Sequence, residues 1–187
     1  MEVNWKKFYE EKKAPTKQSK FAESVEVFFV DELKEKKLLI LDVGAGNGRD
    51  TKWLNKSPFI TAFGIDKNYG IELNETKTKK IVYKLDFKKI NKINTDIVYS
   101  RFFLHCISNK EIEELIKLTP KYFVAEFRIK GDKPVIYKNH KRNFIDLGWL
   151  INLLLENNFE ILKLQAGRGM AKYKNEDPLV ARIYAKK

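Results

Sequence analysis

The residues best suited to chemistry lie in one short stretch, Leu41-Asp42-Val43-Gly44-Ala45-Gly46-Asn47-Gly48-Arg49-Asp50. Glycines placed directly after an apolar run allow a tight turn and a close backbone approach to a ligand, as nucleotide sites require. A dinucleotide fingerprint wants its third glycine where this chain has Arg49; here Gly44, Gly46 and Gly48 alternate, with Asp42 two residues ahead. Asp66, followed by Lys67, closes a second apolar run. It stands about twenty residues past the glycines, where a carboxylate can accept both hydroxyls of a ribose. The plain alternative is a strand-turn-helix junction with no ligand.

The chain has two histidines, His105 and His140, and either could act as a general base. His105 follows an apolar run. His140 is flanked by Lys141 and Arg142, whose charges favour the neutral imidazole that a base needs. A lone histidine also serves as a packing or capping residue. Glu126, near the end of a further apolar run, is the third candidate base. Arg49, Arg101, Arg128 and Arg168 each fall just after a segment that reads as a strand, and Arg142 lies in a loop. Arginine presents a fork that holds carboxylate or phosphate bidentately. Arg101, Arg128, Arg142 and Arg168 are therefore candidates for gripping an anionic acceptor, ordinary surface ion pairs being the alternative.

These residues need a scaffold, and the apolar pattern supplies one. Residues 21–36 read as a helix, with Phe21, Val25, Phe28 and Phe29 at helical spacing. Strands are expected at 38–43, 59–65, 80–85, 96–100, 122–127, 160–165 and 180–184. Helices are expected at 49–56, 109–118 (capped by Ser108 or Asn109) and 144–157. Strands alternating with helices predict a Rossmann-like α/β fold: a mostly parallel seven-stranded sheet with helices on both faces. The last two strands, with no helix between them, add an antiparallel C-terminal hairpin strand at one edge.

Composition narrows the class. A chain of 187 residues that is 43% hydrophobic can bury a core. The single cysteine, Cys106, excludes an intrachain disulfide and a Cys-based zinc site. The acidic residues form no recognisable metal-ligand cluster, so no metal is expected. With no long apolar run and no signal-peptide character at the start, the expected location is the cytoplasm. The net charge of +12 comes mainly from lysine, since only six of 37 basic residues are arginine. The lysines are scattered rather than clustered, which reads as compositional bias before it reads as a nucleic-acid surface.

The alternating glycines after Asp42, with Asp66 and the Leu85-Asp86-Phe87 stretch at successive strand ends, resemble class I S-adenosylmethionine-dependent methyltransferases. Residues 6–9, 15–22, 99–105, 139–146 and 168–182 resemble a small bacterial-type group within that class. That group is similar to tellurite-resistance-type and surface-glycan-associated methyltransferases. The resemblance implies S-adenosylmethionine as cofactor and S-adenosylhomocysteine as product. Asp42, Gly44, Ala45, Gly46, Gly48, Arg49, Asp66 and Lys67 would surround the cofactor. Asp86 would receive its adenine amino group, Phe87 would lie against the ring, and Ser100 and Arg101 would border the reaction site. It also implies one methyltransferase domain over residues 1–187, in which 1–36 form an N-terminal lid segment and helix and 37–187 the core. Tyr9, with Trp5 and Phe8, would fold over the cofactor, although the same aromatics could be core packing.

Methyl transfer to a hydroxyl needs alignment and removal of one proton. Strand-end arginines with a histidine base suggest an acceptor bearing a hydroxyl and an anionic group. Together with the resemblance this points to O-methylation of a sugar in a nucleotide-sugar or glycan. Three readings compete: a thiol or chalcogen methyltransferase needing no base, an RNA methyltransferase using the lysines, and a cofactor-binding module without catalysis.

Overall fold

The computed structural model describes residues 14–70, 81–132 and 143–187. A seven-stranded sheet runs through the molecule in the order β3-β2-β1-β4-β5-β7-β6. The strands are β1 (Leu38–Val43), β2 (Ile60–Asp66), β3 (Val82–Lys84), β4 (Ile97–Arg101), β5 (Tyr122–Arg128), β6 (Glu160–Gly167) and β7 (Val180–Lys186). β1 to β5 pair in parallel. β7 inserts antiparallel between β5 and β6, so the expected hairpin closes one edge.

The helices are α1 (Lys20–Glu26), α2 (Arg49–Leu54), α3 (Asn109–Leu118) and α4 (Leu147–Glu156). Alternate residues of each strand divide the apolar side chains between two layers, because successive side chains point to opposite faces. Leu38 and Ile40 of β1 and Tyr122 and Val124 of β5 pack with Phe21, Phe28 and Phe29 on one face. Leu41 and Val43, with Phe123, Ala125 and Phe127, pack under α3 and α4 on the other. Ser108 caps α3 in a reciprocal box with Glu111, and Asp146 caps α4. These caps satisfy N–H groups that the first turn of a helix leaves without partners.

Two elements differ from the sequence expectation. The helix expected over 21–36 ends as an α-helix at Glu26 and continues as a π-helical turn, Val27–Glu32. The wider turn lets two consecutive residues reach the sheet: Phe28 meets Tyr184 at 4.7 Å and Phe29 meets Tyr122 at 4.8 Å. The third strand is only Val82–Lys84, since Asp86 starts a 3-10 turn by accepting the Lys88 N–H at 3.1 Å. Among the described residues no helix is long and apolar enough to cross a membrane.

Candidate active site

The carboxyl ends of β1, β2, β4 and β5 open into one cavity of about 1660 Å3. Ligands in open α/β sheets bind at this rim because the chain reverses there and loops diverge.

One half of the cavity is built on the glycine loop. The N–H groups of Gly44 and Ala45 both donate to the Ile65 carbonyl, at 2.9 and 3.1 Å. The Gly46 N–H donates to Asp66 Oδ2 at 3.0 Å. Gly44 has φ +77°, and a Cβ there would lie 2.5 Å from the Phe103 ring. Gly48, at φ +70°, starts α2 where a Cβ would collide with Val82. Both positions require a residue without a side chain. Asp66 Oδ1 accepts from the N–H groups of Asn68 (2.8 Å) and Tyr69 (3.1 Å), while burial raises its pKa. Asp42 is fully buried and accepts a 2.6 Å hydrogen bond from Thr51 Oγ1. Burial pushes its carboxyl up to about 7 despite that bond. Ala45, Arg49, Lys67, Asp86 and Phe87 line the same cavity. Burial and the charge of Arg101 push the Arg49 guanidinium pKa down. Gly48 shapes the loop without lining the cavity.

Residues 14–19 close over this half through contacts that sequence reasoning missed. Ser19 donates to Asp50 twice, from its N–H and its Oγ, each at 2.7 Å. Tyr99 OH donates to the same carboxylate at 2.8 Å. Burial and neighbouring carboxylates raise the Tyr99 pKa, keeping the phenol a donor. Asn47 Nδ2 holds the Pro15 carbonyl at 2.9 Å and Arg49 Nη1 the Lys17 carbonyl at 3.0 Å. The signal was Asp50 inside the glycine motif, a charge that α2 carries inward. Tyr9, expected over the cofactor, lies outside the described residues.

The other half is built on β4, β5 and the β6–β7 loop. His105 sits in a 3-10 turn, Leu104–Cys106, buried yet on the cavity wall. Its carbonyl accepts the Asn143 N–H at 3.0 Å, and its ring lies 5.6 Å from Phe102. Phe102 adopts φ +54°, a conformation that bulky residues rarely take. The turn carries its ring beneath the Arg101 guanidinium at 4.4 Å, with Arg128 at 5.9 Å. Nothing in the local sequence flags Phe102, because the strain comes from tertiary packing. His140 and Arg142 lie outside the described residues.

The remaining candidates find other places. Glu126 is fully buried, with one oxygen accepting from Arg101 Nε (2.8 Å) and the other from Arg182 Nε (2.7 Å). A carboxylate so engaged anchors two arginines instead of receiving a substrate proton. Arg168 turns away from the cavity to the Asp177 carbonyl (2.6 Å) and Asp132 (2.8 Å), pinning the β6–β7 loop. Ser100 is buried off the cavity wall, and its hydroxyl finds no partner among the described residues. Arg101 and Arg128 both line the cavity.

No protein-family model matches the sequence, and no curated protein matches it either. Solved structures do. The chain is similar to 1,6-didemethyltoxoflavin-N1-methyltransferase from Burkholderia thailandensis, solved with bound 1,6-didemethyltoxoflavin and S-adenosylhomocysteine. The TM-score is 0.63 at 17% identity, over 90% of this chain and 79% of that one. Magnesium protoporphyrin IX methyltransferase from Synechocystis, with bound S-adenosylmethionine, superposes at TM-score 0.61 and 15% identity, over 89% and 77%. A methyltransferase from Archaeoglobus fulgidus gives 0.60 and 18%, over 89% and 94%. The fold is that of the class I methyltransferases. This is the Rossmann-like architecture expected from the strand and helix pattern.

Proposed function

We propose that this protein is an S-adenosylmethionine-dependent methyltransferase that O-methylates a hydroxyl on an anionic small molecule or glycan, a nucleotide-sugar being the best fit. One observation carries the reading. A single cavity joins the glycine loop and Asp66 on one side to His105, Arg101 and Arg128 on the other. Its volume of about 1660 Å3 exceeds the roughly 300–1,000 Å3 of a single small-molecule site, which leaves room for two reactants.

The residues fit the cofactor. The loop at Gly44 leaves no side chain in the turn, and the Asp66 carboxylate at the end of β2 can receive ribose hydroxyls. Asp86 and Phe87 line the same cavity, and this reading assigns them the adenine amino group and ring. When bound, S-adenosylmethionine supplies a methyl group already activated by its sulfonium centre. The protein's own part is to exclude water, orient the acceptor and move a proton. Phe102 and Phe103 add apolar surface to the cavity wall. His105 takes the proton of the acceptor hydroxyl, and a positioned base of this kind contributes about 10² to 10⁴ in rate. Arg101 and Arg128 hold the acceptor's anionic group at the rim.

The test is methyl transfer from labelled S-adenosylmethionine to nucleotide-sugars, surface polysaccharide, transfer RNA and small thiols, at low and high salt. Cofactor binding is followed in parallel by calorimetry. Label on a nucleotide-sugar or glycan is the expected result. Label on RNA that vanishes at high salt would assign the work to the lysine surface instead. Absence of cofactor binding would overturn the methyltransferase reading altogether.

A further inference from the structure

The half of the cavity formed by β5 and the β6–β7 loop holds a buried cation whose partner is easily replaced. Arg128 is 3% exposed. Its Nη2 donates to Glu176 Oε2 at 2.6 Å, and its Nη1 lies 3.7 Å from Asp132 Oδ2. Its Nε is sealed from solvent with no hydrogen-bond partner among the described residues. A buried guanidinium with an unmatched donor edge is unfavourable, so the edge that Glu176 holds calls for an anion in addition to Asp132.

The two carboxylates are not equivalent. The Asp132 side chain is buried and already accepts from Arg168 (2.8 Å) and from the Leu179 N–H (3.1 Å). Glu176 belongs to a loop turn closed by reciprocal 2.9 Å bonds with the Tyr173 backbone, and its side chain is 43% exposed. Once released, Glu176 would regain water, whereas Arg128 could not. Glu176 also engages one donor of Arg128, while Nε and Nη2 together form the edge that grips carboxylate or phosphate in two parallel bonds.

We propose that Glu176 is a built-in stand-in for the acceptor's anionic group. A carboxylate or phosphate takes its place on Arg128, pairs with both Nη2 and Nε, and releases the loop around residue 176. The proposal rests on the reading of this half as the acceptor side, and it names the chemistry selected there: one compact oxyanion per acceptor.

Limited trypsin digestion tests it without any acceptor or cofactor. Lys172 precedes the turn and Lys174 lies within it, and cleavage after each is quantified by mass spectrometry while inorganic phosphate or acetate is added at constant ionic strength. Either anion should speed cleavage at these two bonds several-fold in the natural protein, and the more effective one identifies the group. The Glu176→Gln variant should be cut rapidly from the outset, with no further gain on adding anion. Its calorimetric affinity for the effective anion should rise on the order of tenfold. Unchanged cleavage with both anions in the natural protein, or a Glu176→Gln variant that behaves like it, would overturn the proposal. The cofactor plays no part in these readings, so a failure here leaves the methyltransferase reading standing, and the reverse also holds.

Discussion

On the side of β1 and β2 the cavity wall is backbone. Gly44 and Ala45 donate to Ile65, Gly46 donates to Asp66, and left-handed glycines fix the path. On the side of β4, β5 and the β6–β7 loop Arg101, Arg128 and Glu176 reach the wall, in a set of ion pairs that continues behind it: Arg101 and Arg182 on Glu126, Arg128 on Glu176, Arg168 on Asp132. Backbone hydrogen bonds cannot be exchanged without refolding the turn, whereas ion pairs can trade partners. On the proposed function, this division gives the cofactor the fixed half and the acceptor the exchangeable one.

The sharpest way to break the contrast is to remove the hub of the charged half. Glu126→Ala leaves Arg101 and Arg182 facing each other, and loss of one partner from a buried pair destabilises by about 3–5 kcal/mol. Urea denaturation should show that loss, and a change below about 1 kcal/mol would mean the arginines find other partners. Next comes His105→Ala. Turnover should fall by about 10² to 10⁴ while calorimetric cofactor affinity stays the same, separating the halves cleanly. The mirror experiment is Asp66→Ala, which should weaken cofactor binding by about 1.5–3 kcal/mol for each charge-assisted hydrogen bond lost. Unaltered affinity in a folded variant would move the ribose away from β2.

A further test concerns protons. Asp42 ionises at about 7 in the folded chain against an ordinary 3.8, so the folded state holds its proton more tightly than the unfolded one. Its contribution to stability is therefore complete below about 3.8 and is lost as pH rises to about 7. Melting temperature should decline across that window, and Asp42→Asn should flatten the decline. Asp66, pushed in the same direction by burial, leaves a smaller residual slope. An equally steep profile in Asp42→Asn would remove Asp42 as its source.

How much could be read from the sequence follows the same division. The strands, the glycine turn and Asp66 were legible because local rules determine them: apolar runs, residues that tolerate positive φ, an acid at a strand end. The role of Glu126 was not legible. Its meaning comes from pairing across the sheet, where Arg101 is its neighbour on β4 and Arg182 on β7. Arg168 misled for a related reason, since its place at the end of β6 matched the rule while a loop carboxylate had already claimed it. The strap formed by residues 14–19 depends on Asp50, which looks like an ordinary first-turn acid until tertiary packing buries it.

Arg101, Glu126 and Arg182 lie in register on three adjacent strands, on one face of the sheet. Their history is thereby linked. A lineage that loses one of the three strands a charge in the interior, and a lineage that exchanges the whole row for apolar residues strands none but removes Arg101 from the cavity wall. Inheritance should therefore treat the three codons as one character. Descendants should keep the trio or discard it as a set, and solitary changes should be rare and short-lived.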